Sequence, residues 1–241
     1  MFGFKILIDG DYACFTRPEF KVERVTYDVP CPGALEGLLK SVYWKPQIKY
    51  CIDKIIVFNP IRFLDVRRNE VKDKISYYNV KKKMQDPKVD LSIYTNESRH
   101  QRASIVLKNV RYGIQFHFEI TGIKNEMEND SEKKHYNILK RRLENGQQFR
   151  TPCLGCSEFP VKSIKLVDSF DISQIDPEIL SKGDVDLGYM VHHVQFDDGG
   201  QPLNGDWDHP QFSDKATAVY YRPHMIEGII DVTHYAEDLK C

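Results

Sequence analysis

Three consecutive residues in "DSEKKHYNILKRR" (130–142) combine fixed positive charge with a group that titrates near neutrality: Lys133, Lys134 and His135. Lysine supplies an ammonium and histidine an imidazole that gives or takes a proton. Together they suit a reaction on a polyanion. The stretch also reads as a helix. Asp130 or Ser131 can cap it, Tyr136, Leu139 and Leu143 share one face at i, i+3 and i+7, and Gly146 sits where it would stop. The cations therefore occupy the first turn, where the helix dipole disfavours each by about 0.3–1 kcal/mol. A purely structural helix avoids that arrangement, whereas a turn that meets a phosphate benefits from it.

The elements that must position this turn can be traced along the chain. Phe4–Ile8 reads as a strand followed by the turn Asp9-Gly10-Asp11. After Pro30-Cys31-Pro32-Gly33, the residues Leu35, Leu38, Leu39 and Val42 make a helical stripe that Pro46 ends. Cys51–Phe58 is a second strand. Tyr112–Ile120, "YGIQFHFEI", alternates strictly and is a third. The helix just described follows, and Val161–Val167 is a fourth strand. This predicts an α+β fold built on a β-α-β-β-α-β unit, the split pattern of ferredoxin-like domains that RNA-recognition modules share. In that topology the end of the first helix and the start of the second lie at one edge. Tyr43, Trp44 and Lys45 ("SVYWKP") should then approach Lys133, Lys134 and His135 across about 90 positions of sequence.

A phenol, an ammonium and an imidazole suffice for RNA cleavage without a metal. Tyr43 and His135 can handle protons, and Lys134 can stabilise the negative charge of a phosphorane. The helix terminus and the two lysines should keep His135 neutral. Taken singly, each residue would read as a core aromatic, a solvated lysine or a surface histidine; the topology is what groups them.

Charge and composition bound the rest. Hydrophobic residues make up 41% of the 241, enough for a sizeable core. Net charge is −1, yet residues 1–150 carry 28 Lys+Arg against 19 Asp+Glu, while residues 151–241 carry 6 against 16. A basic front part suggests a polyanionic partner, or else two opposite surfaces that attract within the fold. The basic insertion, about 62–102, contains "RRNEV" and Lys81–Lys83, and reads as a mobile segment or hairpin. Residues 1–169 read as the ferredoxin-like domain and 170–241 as an acidic, β-rich C-terminal extension. No apolar run approaches a membrane span, and the N-terminal residues lack a signal-peptide pattern, so a cytoplasmic protein is expected. The six cysteines do not suggest a disulfide framework. Cys153 and Cys156 form a single CxxC, whereas structural zinc sites usually need two. Strand alternation places His192 and His193 on opposite faces, so they should not share an ion, and Asp206, Asp208 and His209 are a weak cluster. No metal and no cofactor is expected.

Several segments carry a resemblance: "GDYACFTRPE" (10–19), "YDVPCPGALEGLLKSVYWKP" (27–46), "IRFLDVRRNEV" (61–71), "KKHYNILKRRLENGQ" (133–147), "PCLGCSEFP" (152–160) and "LGYMVHHVQFD" (187–197). They resemble the d subtype of the fifth Cas family, of the RAMP superfamily: the type I-C CRISPR protein that processes precursor guide RNA. The resemblance covers most of the chain. It implies recognition of a CRISPR repeat stem-loop, metal-independent cleavage at the base of the stem through 2′-OH attack, and retention with other Cas subunits in a surveillance complex, with duplex DNA as a further candidate partner. It implies catalysis by a tyrosine in "YWKP" and a Lys-His pair in "KHY", which here are Tyr43, Lys134 and His135. For RNA binding, Tyr12, Phe15 and Trp44 are candidates to stack on bases, and Arg17, Lys45, Arg67, Arg68, Lys133, Lys140 and Arg141 to contact phosphates. The alternatives are a non-catalytic subunit that holds the guide 5′ handle or DNA, and an unrelated enzyme or zinc protein resting on Cys153 and Cys156.

Overall fold

The structure, a computed structural model, describes residues 3–20, 22–123, 131–206 and 208–240. Its elements run β1 (Gly3–Ala13), β2 (Arg24–Val25), α1 (Pro32–Val42), β3 (Ile48–Val57), β4 (Phe63–Val71), α2 (Tyr77–Gln85), β5 (Arg99–Ile120), α3 (Glu132–Glu144), β6 (Ser163–Leu166), α4 (Pro177–Leu180), β7 (Asp184–Asp186), β8 (Met190–Phe196), β9 (Ala216–Tyr221), β10 (His224–Ile226) and β11 (Ile229–Asp231). The result is a mixed α+β fold on a large sheet. Among the described residues the main sheet runs β6-β1-β5-β3-β11-β10-β7, with β2 and β4 paired to β5. β5 is antiparallel to both β1 and β3, so β1 and β3 run the same way and α1 and α3 return on one face.

That face forms the core because the strand periodicity demands it. Phe4, Ile6 and Ile8 of β1 and Tyr112, Ile114, Phe116 and Phe118 of β5 are buried, as are Leu35, Leu38, Leu39 and Val42 of α1 and Leu139 and Leu143 of α3. Each such side chain contributes about 1.5–3 kcal/mol through removal from water. Phe4 stacks on Phe116 at 5.4 Å and on Tyr136 at 4.8 Å between ring centroids, which joins sheet to α3.

Several elements differ from the sequence reading. β5 begins at Arg99, not Tyr112, because its outer half pairs with β4 from Phe63↔Leu107 to Val71↔Arg99. That ribbon shows no clean apolar alternation because its inner face is only half-buried and carries Arg68 and Glu70 along with Leu64 and Val66. The insertion is thus a long hairpin capped by α2, which buries none of its own residues. β5 exchanges partners between Tyr112, the last residue paired to β3, and Leu107, the first paired to β4; at the crossing Asn109 has φ +52°. At the other edge, β11 joins β3 (Ile230↔Ile55), so acidic C-terminal residues extend the same sheet. β8 and β9 form a separate hairpin laid on α1, where a Cβ on Gly33 would approach the His192 carbonyl oxygen to 3.0 Å.

The stretch "PCLGC" has a structural part that the cysteine spacing concealed. Leu154 is fully buried, and Gly155, at φ +84°, lies so close to β1 that a Cβ there would come within 1.9 Å of the Cys14 oxygen. Only glycine tolerates both conditions.

Candidate active site

α1 ends at Val42, and Tyr43 is its C-cap, with its N–H donating to the Leu39 carbonyl at 3.0 Å. Pro46 prevents the helix from continuing, and the extended backbone of Tyr43 (φ −150°, ψ 126°) turns the phenol toward α3. Ser131 caps α3 by accepting from the Lys134 N–H at 3.2 Å; the other predicted cap, Asp130, lies outside the described residues. The first turn therefore starts at Glu132, and His135 falls on the inward face with Leu139 and Leu143.

The two helix ends meet. Tyr43 Oη and His135 Nδ1 are 2.8 Å apart, a hydrogen bond whose direction depends on the imidazole tautomer. Both rings are buried, Tyr43 at 3% exposure and His135 at 1%. Phe118 meets His135 edge-on at 6.5 Å, and Tyr50 donates its hydroxyl to the Tyr43 carbonyl at 2.7 Å. Burial holds the Tyr50 phenol protonated far above its ordinary range. Lys134 is half-buried on the same turn, and Lys133 is exposed beside it.

One contributor was not singled out from sequence. Arg142 sits with its guanidinium 5.2 Å from the Tyr43 ring centre and donates to the Val42 carbonyl at 2.6 Å. Its position was available in the sequence: seven residues after His135, it shares that helix face. Trp44, half exposed, lines a hollow with Lys40, Phe149 and Arg150; the last two directly follow the loop after Gly146, and both backbone N–H groups donate to the Ser41 carbonyl. An exposed aromatic pair beside two cations is a surface on which bases can stack and phosphates can rest.

The other predicted RNA contacts divide. Tyr12 is 44% exposed, and Lys133, Lys140, Arg141 and Arg67 are exposed. Lys45 is half-buried next to Trp44. Phe15 does not stack on bases as placed: at 2% exposure it packs edge-on against Tyr112, because its backbone N–H is tied to the Thr26 hydroxyl and the ring turns inward. Arg17 is engaged within the fold, 3.3 Å from Asp28 and over the Tyr27 ring. Arg68 bridges to Glu158 at 2.7 Å.

The candidate metal groups also change. His192 and His193 do not point apart: their Nδ1 atoms are 2.9 Å from each other, because a bulge between Val191 and His193 breaks the alternation. Burial, reinforced by His193 and Lys49, lowers the His192 pKa to about 4. Cys153 turns to the Thr151 and Ser157 carbonyls, while Cys156 meets Thr16 and the Cys14 carbonyl, so the CxxC thiols have separate partners. Hydrogen bonding with Cys14 and Thr16, with Arg24 nearby, lowers the Cys156 thiol below its ordinary range. Asp206 accepts the Asp208 and His209 N–H groups, which closes a turn.

A large sheet with a phenol–imidazole pair between two helix ends and a basic aromatic hollow beside it defines a mixed α+β protein. The family model described as "CRISPR-associated protein (Cas_Cas5)", for Cas5d, matches residues 3–233, and the chain belongs to this Cas5d family within the RAMP superfamily. It is similar to the "CRISPR pre-crRNA endoribonuclease Cas5d" of Mannheimia succiniciproducens, 42% identical over 98% of this chain and 97% of the relative. It is also similar to the protein of the same description from Thermus thermophilus, 34% identical over 82% of this chain and 76% of that one. Two solved structures share the fold at 20% identity. One, titled "Crystal Structure of CRISPR-associated Protein", has a TM-score of 0.58 over 95% of this chain and 91% of its own. The other, of the functionally uncharacterized protein SMU1763c from Streptococcus mutans, has a TM-score of 0.62 over 100% and 97%.

Proposed function

We propose that this chain is the CRISPR repeat-specific, metal-independent endoribonuclease of a type I-C system. The observation that carries the reading is the 2.8 Å contact between Tyr43 and His135, with Lys134 on the same helical turn. In the proposed reaction one member of the pair removes the 2′-OH proton. The 2′-oxygen attacks phosphorus, forming a 2′,3′-cyclic phosphate, and the bond to the 5′-oxygen breaks. The other member protonates that leaving oxygen, and Lys134 stabilises the charge on the phosphorane. Because both rings are buried, RNA binding must open the junction of α1 and α3 so that the scissile phosphate reaches them. Trp44 and Phe149 receive the unpaired nucleotides beside the stem, and Lys45, Lys133, Lys140 and Arg141 its phosphates.

The reading treats 1–169 as a ferredoxin-like, RNA-recognition-like domain and 170–241 as its extension. The protein acts in the cytoplasm, and after cleavage it keeps the guide 5′ handle as a subunit of the surveillance complex, where it also meets duplex DNA. The names of its relatives support the activity. The burial of the pair favours a second reading, in which Tyr43 and His135 clamp two helices and the chain only holds RNA. Incubation of wild type, Lys134→Ala and His135→Ala with a cognate repeat in EDTA separates them. Under the proposal, wild type cuts and leaves a cyclic phosphate, a 2′-deoxy nucleotide at the scissile position blocks the cut, and both variants bind RNA while cutting at least ~100-fold more slowly. A folded wild type that binds the repeat without cutting it establishes the clamp.

A further inference from the structure

The sheet face behind the helices carries a set of donors that RNA cleavage does not use. Cys51 on β3 lies directly opposite His117 on β5, and Glu119 follows two residues later on the same face. One donor atom from each of the three lies within 4.8 Å of the others. His117 also has its ring fixed: Nδ1 is 2.7 Å from Asp53 Oδ1, with the two side chains only 15% and 16% exposed. A carboxylate on Nδ1 leaves Nε2 available as the ligand atom, the arrangement that most metal-binding histidines show.

We infer that Cys51, His117 and Glu119 bind a zinc-like divalent cation, with Asp53 as the carboxylate that orients His117. Thiolate, imidazole and carboxylate together suit a borderline cation such as zinc, with water in the fourth position. Tetrahedral zinc with the usual bond lengths holds its ligand atoms about 3.3–3.7 Å apart. Closing from 4.8 Å therefore moves each donor by less than ~1 Å. The two strands are hydrogen-bonded there, so the frame is rigid, and exposed Glu119 marks the side of entry. Lys49 lies opposite Glu119 in the register.

The placement gives the ion a purpose. Tyr50 pairs with Phe118 in the same register and points to the opposite face, where these two residues touch Tyr43 and His135. A metal here would staple β3 to β5 directly behind the catalytic pair without touching a reacting atom. Chelator-resistant cleavage and metal binding are thus independent properties.

The test strips the full-length chain with chelator and titrates it with Co²⁺, then with Zn²⁺ in competition. The expected result is one cobalt per chain with a thiolate-to-cobalt charge-transfer band that zinc abolishes. The band disappears in Cys51→Ser, persists in Cys156→Ser, and requires 10–100-fold more cobalt in Asp53→Asn. Glu119→Gln, at an exposed position, weakens binding at least tenfold, and matching melting curves in chelator show that the variants fold. Absence of the band in wild type, its survival in Cys51→Ser, or its loss in Cys156→Ser overturns the assignment.

Discussion

Tyr43 and His135 illustrate how a residue's role depends on what faces it. Each alone reads as an ordinary core or surface residue, and only chain topology brings them to 2.8 Å. That part was legible because two helices on one sheet face must end somewhere, and proline and serine mark where. Phe15 was not legible: nothing in "ACFTRP" says that its ring turns inward to Tyr112. The pair Phe15 and Trp44 makes the distinction measurable. Phe15→Ala should lower stability by about 3–5 kcal/mol in urea denaturation, the cost of a large core truncation. Trp44→Ala should leave stability within ~0.5 kcal/mol of wild type. It should weaken repeat RNA binding by about 1–3 kcal/mol, as loss of one stacking ring does.

At the scale of elements, apolar periodicity showed where the sheet has a buried face and failed where it has none. Tyr112–Ile120 alternates because one side packs on α1 and α3; Arg99–Leu107 of the same strand pairs with β4, whose half-buried face mixes Leu64 and Val66 with Arg68 and Glu70, and carries no such signature. The C-terminal strands were missed as sheet members for another reason. The extension reads as β-rich, but β7, β10 and β11 have three residues each, and nothing in so short a strand says that β11 pairs with β3. The loop "PCLGC" is a further case, since its cysteines drew notice while Leu154 and Gly155 hold it to β1. Gly155→Ala combines a left-handed backbone with a 1.9 Å clash, so it should cost at least ~2 kcal/mol in urea unfolding. Cys153→Ser, with its thiol directed at two carbonyls of its own loop, should cost under ~1 kcal/mol in the same assay.

Across the whole molecule, the opposite charges of the two halves are partly matched inside the fold. Arg62 forms a bidentate pair with Glu178, Arg24 and Arg68 meet Glu158, and Lys54 meets Asp231. Such exposed pairs are screened by solvent, so they orient the halves more than they stabilise them. Charge counting could not show this division, because it depends on which strand lies beside which. The acidic half also sets a pH dependence through the β8 hairpin on α1. His192 has a folded pKa of about 4 against an ordinary 6.5, so the unfolded chain binds the extra proton between those values. Stability should therefore be complete above about pH 6.5, fall as pH drops toward 4 and then level off for this group. His192→Gln should flatten that segment of a urea-midpoint-against-pH curve. Finally, Asn109 gives β5 a mechanical meaning. The strand's 22 residues would reach about 70 Å if straight, at about 3.3 Å per residue. One end forms an arm tipped by Lys81–Lys83, and the other carries Phe118 against His135. The φ of +52° at Asn109 is the elbow between them, in one of the few residue types other than glycine that adopt it readily. The arm's reach is set by its length and its bearing at Asn109, where β1 spans the bend by pairing with Val110 on one side and Lys108 on the other, so whatever grips the tip loads the strand that carries Phe118 against His135.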